Sequence, residues 1–177
     1  MEVSAHEAVY FIFGATGDLA KRKLFPAFYS LYREGKLGER FAVVGLARRP
    51  RTEAQFRDDI HESIREFCRY KPDDSENWEA FVEHFSYQSL DIGNVEGFRQ
   101  LKAHTEQLEA QYGIPGNRLF YLALAPELFG TVSHSLRDGG MLECAGWHRL
   151  VIEKPFGYDY ASAHHLNEEI GRVFKEE

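Results

Sequence analysis

The residues with the clearest chemical meaning form a glycine-rich turn near the start of the sequence. Gly14 and Gly17 stand three residues apart and Ala20 follows at a third small position, after an apolar run and before a helical pattern. In a strand–turn–helix unit, such residues permit a tight turn, close approach of the backbone to a pyrophosphate, and close packing of helix on strand. The N–H groups and the positive dipole end at the helix start also attract phosphates. The turn predicts dinucleotide binding; because its spacing differs from GxGxxG, a tight turn without a ligand is the alternative.

The end of the second apolar run carries arginines where NAD-binding folds carry an acidic residue. Arg48 and Arg49 stand there, and the first acid after them is Glu53. A guanidinium group matches phosphate oxygens in a bidentate way and accommodates the 2′-phosphate of NADP. Thr16, across the first turn, can add a hydroxyl. Arg48 therefore predicts NADP as the coenzyme, with NAD as a weaker alternative; two merely solvated arginines are the simpler interpretation.

The histidines do not predict a metal centre. His61 begins like an HExxH motif, but Arg65 takes the place of the second histidine. His164 and His165 are adjacent on a predicted helix and point in different directions. We interpret the eight histidines as surface residues.

Composition and charge restrict the class of protein. Lys plus Arg is 21 and Asp plus Glu is 28, a net charge of −7 that disfavours binding to a phosphate backbone. The longest apolar run, Ala8–Phe13, is far shorter than the ~20 residues that span a bilayer. The segment Met1–Glu7 lacks the layout of a signal peptide, and Cys68 and Cys144 are expected to be reduced thiols. We expect a cytoplasmic protein that binds neither nucleic acid nor membranes.

Short apolar runs alternate with longer helical patterns, which is typical of βαβ units and a parallel sheet. The predicted strands are Ala8–Phe13, Phe41–Leu46, Phe85–Leu90, Leu119–Leu124 and Leu150–Ile152. The predicted helices are Asp18–Arg33, Thr52–Tyr70, Glu76–His84, Val95–Tyr112, Glu127–Leu136 and one from Ala161 to the end. The fold class is therefore α/β, a doubly wound and mostly parallel sheet flanked by helices, with ligands at the carboxyl ends of the strands.

Residue spacing predicts one apolar face in the first helix and a cap at the start of the second. Leu24, Phe28 and Leu31 stand at helical spacing and are predicted to lie on one face of the first helix. Thr52, followed three residues later by Gln55, predicts a capping box at the start of the second helix.

Several segments, in order along the chain, resemble the N-terminal part of the glucose-6-phosphate dehydrogenase family. The run GDLAxRKLxP and the run EKPFGxD are together highly specific, and the resemblance covers essentially the whole chain. The matching segments are Phe13–Pro26, Leu31–Leu37, Leu46–Arg48, Asn117–Pro126 and Glu153–Gly157 with Asp159.

The resemblance implies a Rossmann-like domain of an NADP-dependent oxidoreductase. Members of the family oxidise glucose 6-phosphate to 6-phosphogluconolactone, the entry to the pentose phosphate pathway of glucose metabolism. Carried over by position, the coenzyme-binding residues are Gly14, Ala15, Thr16, Gly17, Asp18, Leu19, Arg48, Ala125, Pro126, Glu153 and Lys154.

The last two of these residues are expected closest to the chemistry. The resemblance places Glu153 near the nicotinamide and Lys154 between nicotinamide and sugar phosphate, so Lys154 is also the expected substrate-binding residue. A fixed cation there neutralises charge and positions the sugar against the coenzyme. A surface ion pair at a strand end is the simpler interpretation. Pro155 matches a family proline whose peptide bond is cis or trans.

The family's further segments are not found in this sequence. An Asp-His-Tyr-x-Gly-Lys segment that binds the sugar phosphate, and a catalytic histidine paired with an aspartate, have no counterpart. Residues 1–177 are therefore expected to form a single coenzyme-binding domain without catalytic residues. The C-terminal domain, through which the family forms homo-oligomers and which binds substrate, is expected to be absent. We expect coenzyme binding without turnover, and an exposed apolar patch where that domain docks.

Two other functions are alternatives. An NADP-dependent reductase or epimerase would need a Tyr-x-x-x-Lys pair, and Tyr32 with Lys36 stands far too early in the chain for that role. A non-enzymatic NADP-sensing module is the second alternative.

Overall fold

The structure is a computed structural model that describes residues 6–72 and 76–175. Most of the Met1–Glu7 segment and the last residues of the predicted final helix therefore lie outside the described residues. The strands are β1 (Val9–Phe13), β2 (Ala42–Ala47), β3 (Phe85–Ser89), β4 (Arg118–Leu122) and β5 (His148–Ile152). They form one parallel sheet in the order β3-β2-β1-β4-β5. The predicted α/β fold class is confirmed, and each strand lies within two residues of its prediction.

Helices pack on both faces of this sheet, although part of one face beside α1 stays uncovered. Their bounds are α1 (Phe25–Arg33), α2 (Glu53–Phe67), α3 (Glu76–Val82), α4 (Val95–Tyr112), α5 (Phe129–Asp138) and α6 (Tyr160–Gly171). Thr52 caps α2 through the predicted capping box, with Thr52 Oγ1 accepting from the N–H of Gln55 and Gln55 Oε1 accepting from that of Thr52. The second helix ends three residues earlier than predicted, and the last ends at Gly171.

Two apolar cores lie on opposite faces of the sheet because neighbouring strand residues point in opposite directions. Ile12 of β1 joins the cluster under α1, α2 and α3, and Phe25 and Phe56 belong to it. Phe11 and Phe13 of the same strand join the cluster under α4, α5 and α6. The alternation explains how the continuously apolar β1 is buried on both sides, as the sequence predicted.

The first helix begins with a π-helical segment and buries one of its two apolar sides. Residues Ala20–Leu24 form a π-helical segment, in which the N–H of Phe25 bonds to the carbonyl of Ala20, and α1 begins only then. Phe25 and Tyr29 are fully buried, whereas Leu31 is 40% exposed. Leu24, Phe28 and Leu31 lie together on one face, as predicted, but the fully buried side of the helix is that of Phe25 and Tyr29. The helix is apolar on two sides, and periodicity alone did not select the side that α2 and α3 cover.

Leu24, Phe28 and Leu31 line an apolar groove. The groove has a volume of about 610 Å³ and lies between α1 and the uncovered face of β1, β4 and β5. Its walls include Leu24, Ala27, Phe28, Leu31, Tyr10, Ile12, Leu119, Tyr121 and Val151. An exposed apolar surface is thus present, as expected; that it docks a further domain stays a prediction.

A buried ion pair joins α4 to β4. The guanidinium of Arg118 donates to both carboxylate oxygens of Glu109, at 2.8 and 3.2 Å, and to the carbonyl of Met141 at 2.8 Å. The side chain of Arg118 is only 2% exposed. Because burial removes the cation from water, these acceptors compensate for the hydration that it loses.

The described residues contain neither a membrane-spanning helix nor a cluster of metal-binding side chains. None of the helices in residues 6–72 and 76–175 is long and apolar enough to cross a membrane. In the same part of the chain, no three His, Cys, Asp or Glu side chains are grouped so that they could hold a metal ion.

His84 differs from the surface histidines that the sequence suggested. Its ring is stacked between Phe41 and Tyr112, with centroids 4.0 and 4.6 Å away, and only 9% of the residue is exposed. Its Nδ1 lies 2.7 Å from the carbonyl oxygen of Phe41. Burial lowers the pKa of His84 below its usual value, although this carbonyl and nearby glutamates partly oppose the effect.

This histidine predicts a stability that falls in mild acid. Since the pKa of His84 is lower in the folded chain, the unfolded chain binds more protons below the ordinary value of 6.5. The free energy of unfolding should therefore decrease as pH falls from 7.5 to 5.5, and His84→Gln should flatten that dependence. Urea unfolding at several pH values measures it, with the exposed His164→Gln as control. An unchanged slope in His84→Gln would contradict the assignment.

Candidate functional site

The glycine-rich turn is held between the ends of β2 and β4. The N–H groups of Gly14 and Ala15 both donate to the carbonyl of Leu46, at 2.9 and 3.2 Å. Gly14 has a φ of +83°, and a Cβ there would lie 2.2 Å from the carbonyl oxygen of Ala123. No side chain fits at that point, so the turn needs glycine for its conformation and for its close contact with the chain after β4.

A cavity of about 680 Å³ opens beside this turn at the carboxyl ends of the strands. The strand order reverses at β1, which has β2 on one side and β4 on the other, so the cavity lies at the topological switch point where open α/β sheets bind ligands. The structure brings four predicted residues together in its wall, namely Gly14, Thr16, Gly17 and Arg48. The other lining residues are Phe13, Leu46, Ala47, Arg49, Pro50, Leu90, Ile92, Ala123, Leu124 and Leu128.

The other predicted residues of the turn have different surroundings. Ala15 is buried in the core under α1, and Leu19 is partly buried. Asp18 is exposed and its carboxylate pairs with Arg22 at 2.7 Å. These three residues therefore have only the backbone of the turn and of the helix start to present to a phosphate, where the first N–H groups have no helical partner.

Two arginines after β2 line the cavity. Arg48 and Arg49 are both exposed, and neither guanidinium has a hydrogen-bond or ion-pair partner among the residues that the structure describes. Arg51, two residues on, is different because it pairs with Asp59 of α2 at 2.6 Å. The sequence predicted a contact with the 2′-phosphate for Arg48 alone, although Arg49 lines the same wall.

The segment after β4 touches the cavity through neighbours of the predicted pair. Ala123, Leu124 and Leu128 line it, whereas Ala125 and Pro126 lie between them, at the start of a short 3₁₀ turn. The residues whose side chains line the cavity therefore flank Ala125 and Pro126, the two that the resemblance named.

Glu153 and Lys154 lie at the same edge of the sheet, beyond the cavity wall. Both are exposed and follow the end of β5, and the Lys154–Pro155 peptide is cis. The phenol of Tyr121 donates to the Glu153 carboxylate, and burial together with this bond raises the pKa of Tyr121 to about 12. The simple ion pair between Glu153 and Lys154 is not formed here; Glu153 is instead held by β4.

Tyr32 and Lys36, considered for a reductase, have structural roles. The Tyr32 ring packs against Phe81 with centroids 5.2 Å apart, and Lys36 Nζ pairs with Glu34 at 2.6 Å. Neither residue lines the cavity beside the glycine-rich turn.

Sequence reasoning missed two hydroxyl groups on β3. Ser89 Oγ donates to the carbonyl of Arg48 at 2.9 Å, and the Tyr87 phenol donates to the carbonyl of Arg49. Strand alternation places both side chains on one face. Only the β2–β3 register, which the sequence does not display, shows that this face reaches the arginine loop.

Comparison with known proteins places this architecture in one family. A family model described as "Glucose-6-phosphate dehydrogenase, NAD binding domain" matches residues 11–177. The chain is 47% identical over 171 residues to a glucose-6-phosphate 1-dehydrogenase of Bacillus subtilis, covering 97% of the chain and 34% of that protein. It is 40% identical over 172 residues to the enzyme of the same name from Leuconostoc mesenteroides, covering 97% and 35%.

Solved structures agree with the sequence matches. A glucose-6-phosphate dehydrogenase in complex with its substrate glucose-6-phosphate superimposes with a TM-score of 0.84 at 35% identity, over 96% of this chain and 34% of that one. The glucose-6-phosphate 1-dehydrogenase of Mycobacterium avium gives a TM-score of 0.79 at 28% identity, over 96% and 34%. The chain thus spans about a third of the length of the relatives that it matches.

Proposed function

The chain belongs to the glucose-6-phosphate dehydrogenase family, and on that premise we propose that it binds NADP in the cavity beside the glycine-rich turn. We further propose that it is the coenzyme-binding domain of a cytoplasmic, homo-oligomeric enzyme that oxidises glucose 6-phosphate to 6-phosphogluconolactone. The observation that carries the proposal is that one cavity wall holds the glycine-rich turn and two arginines whose guanidinium groups have no partner among the described residues.

The residues of this cavity fit a coenzyme with a 2′-phosphate. Gly14 leaves no room for a side chain, and a Cβ at Gly17 would lie 3.1 Å from the carbonyl of Gly14, so the backbone forms a tight cradle. Pyrophosphate is proposed to bind at the helix start behind Thr16. Arg48, with Arg49 beside it, is proposed to bind the 2′-phosphate, because NAD sites hold an acid at this place.

Lys154 and Glu153 are proposed to act where coenzyme and sugar meet. NADP, when bound, supplies a nicotinamide that accepts the hydride. Lys154 has an exposed ammonium at the end of β5, in a position to neutralise charge on the sugar phosphate and to orient it. Tyr121 restrains Glu153, which supports a fixed place for this carboxylate beside the nicotinamide. Glucose 6-phosphate is proposed as a substrate of the whole enzyme and not of this chain alone.

Arg48→Ala tests the proposed coenzyme preference. We expect NADP to bind about 10- to 100-fold more weakly, because one charged hydrogen-bonding group is lost, while NAD affinity changes little. Calorimetric titration of the chain with NADP and with NAD measures both. Arg99→Ala, which removes an exposed arginine of α4, is the matched control and should leave both affinities unchanged. An equal loss of NAD and NADP affinity in Arg48→Ala would contradict the proposal.

A further inference from the structure

The loop that carries Arg48 and Arg49 begins where the sheet ladder ends. The last ladder bond between these strands runs from the N–H of Leu90 to the carbonyl of Ala47, at 2.9 Å. The next two carbonyls, those of Arg48 and Arg49, lie beyond the ladder. Ser89 and Tyr87 supply the missing donors through their hydroxyls. Backbone N–H groups of the sheet ladder bond the carbonyls up to Ala47. The hydroxyls of Ser89 and Tyr87 bond the next two carbonyls in their place.

The far end of the same loop is also anchored. Arg51 pairs with Asp59 of α2 at 2.6 Å, and both side chains are mostly shielded from solvent, at 28% and 22% exposed. Thr52 follows at once as the cap of α2. The backbone from residue 48 to residue 52 is thus held on both sides, while the guanidinium groups of Arg48 and Arg49 stay unpartnered within the described part of the chain.

The Tyr87 phenol is suited to a permanent donor role. Its ring packs on Phe56 with centroids 5.2 Å apart, and its hydroxyl also lies 3.4 Å from the carbonyl of Ala47. Burial and the nearby Asp59 raise the pKa of Tyr87, with Arg51 partly opposing them, so the phenol keeps its proton at neutral pH. Phe56 fixes the ring, and the ring in turn sets where the carbonyl of Arg49 can lie.

We propose that Tyr87 and Ser89 are positioning residues for coenzyme selection, which hold the Arg48–Arg49 backbone so that both guanidinium groups meet the 2′-phosphate of NADP. The inference rests on the proposed binding of NADP in this cavity. A held backbone removes the entropy that a free loop would lose when the phosphate binds, and that gain applies only to the coenzyme that carries the phosphate. Neither hydroxyl touches the coenzyme in this proposal; each acts through the arginines.

Tyr87→Phe and Ser89→Ala test this role in the full chain. Each should lower the ratio of NADP to NAD affinity by about 3- to 10-fold, the effect of one lost hydrogen bond, with NAD affinity nearly unchanged. Tyr87→Phe keeps the ring against Phe56, so the fold should persist. Tyr112→Phe is the matched control, because its hydroxyl donates to the carbonyl of Glu83 at 3.0 Å, away from the cavity, and its ratio should stay at the wild-type value.

A double-mutant cycle separates positioning from general stability. In a chain that already carries Arg48→Ala and Arg49→Ala, Tyr87→Phe should no longer change the ratio, because the groups through which it acts are gone. An equal loss of NAD and NADP affinity in Tyr87→Phe would show a merely structural role and overturn the inference.

The remaining outcomes distinguish the inference from the proposed function. If Arg48→Ala lowers the ratio and neither hydroxyl variant does, the positioning role is wrong and the proposed function stands. If the unaltered chain binds NADP and NAD equally well, the positioning role and the proposed coenzyme preference are wrong; if it binds neither coenzyme, the proposed function is wrong as well.

Discussion

Gly14→Ala is expected to abolish measurable NADP binding and to lower the free energy of unfolding by about 2–5 kcal/mol. Two effects add. An alanine must adopt the φ of +83° that Gly14 has, and its Cβ would meet the carbonyl oxygen of Ala123 at 2.2 Å. That oxygen belongs to backbone next to β4, so it cannot swing aside as a flexible side chain would. The turn must shift, and its donors to a pyrophosphate shift with it.

Gly35→Ala is the control that separates these effects. Gly35 also has a positive φ, +67°, but apart from its own chain neighbours no atom of the described residues lies within 4 Å of its would-be Cβ. This variant should show only the conformational cost, about 1–2 kcal/mol, and should bind NADP normally. Urea unfolding and calorimetric titration of both variants make the comparison. Similar stability and intact binding in Gly14→Ala would show that the close contact with Ala123 is not needed.

Glu109→Ala is expected to lower the free energy of unfolding by about 3–5 kcal/mol. The variant leaves the guanidinium of Arg118, at 2% side-chain exposure, with the carbonyl of Met141 as its remaining acceptor. A buried charge without its counter-ion is far more costly than the same charge in water. Denaturant unfolding followed by circular dichroism gives the loss directly.

Two further variants show whether burial is the cause. Arg99→Ala breaks the exposed pair with Glu96, in which both side chains are 62% exposed, and should change stability by less than about 0.5 kcal/mol. The double variant Glu109→Leu with Arg118→Met removes both charges and should lose much less than Glu109→Ala alone. A double variant as unstable as the single one would contradict the account of an uncompensated charge.

The sheet was predictable because its strands carry their own signals. β1 and β2 are continuously apolar, as strands buried on both faces must be, and the glycine-rich turn stands directly after the first of them. The capping box at Thr52 is equally local, since both of its partners lie within one turn. The family match added the segments after β4 and β5, whose composition alone does not indicate a coenzyme.

What the sequence did not reveal depends on contacts between distant elements. The first helix has apolar residues on two sides, and only the positions of α2 and α3 decide that Phe25 and Tyr29 are buried. The support of the arginine loop by Tyr87 and Ser89 depends on the β2–β3 register. His84 is buried because its ring stacks between Phe41, which precedes β2, and Tyr112, the last residue of α4. Each of these features requires knowledge of which residues meet in space.

The strand order also has a consequence for synthesis on the ribosome. Val9 pairs with Ala42 on one side and with Arg118 on the other, so one edge of the central strand waits about 110 residues for its partner. At about 5–20 residues per second, that interval lasts roughly 5–20 seconds. During it the nascent chain exposes an unpaired apolar edge, and the turn at Gly14 lacks its close neighbour Ala123. The glycine-rich turn is synthesised first, but it therefore takes its final shape only after β4 has been synthesised. NADP can stabilise the growing chain only from that moment.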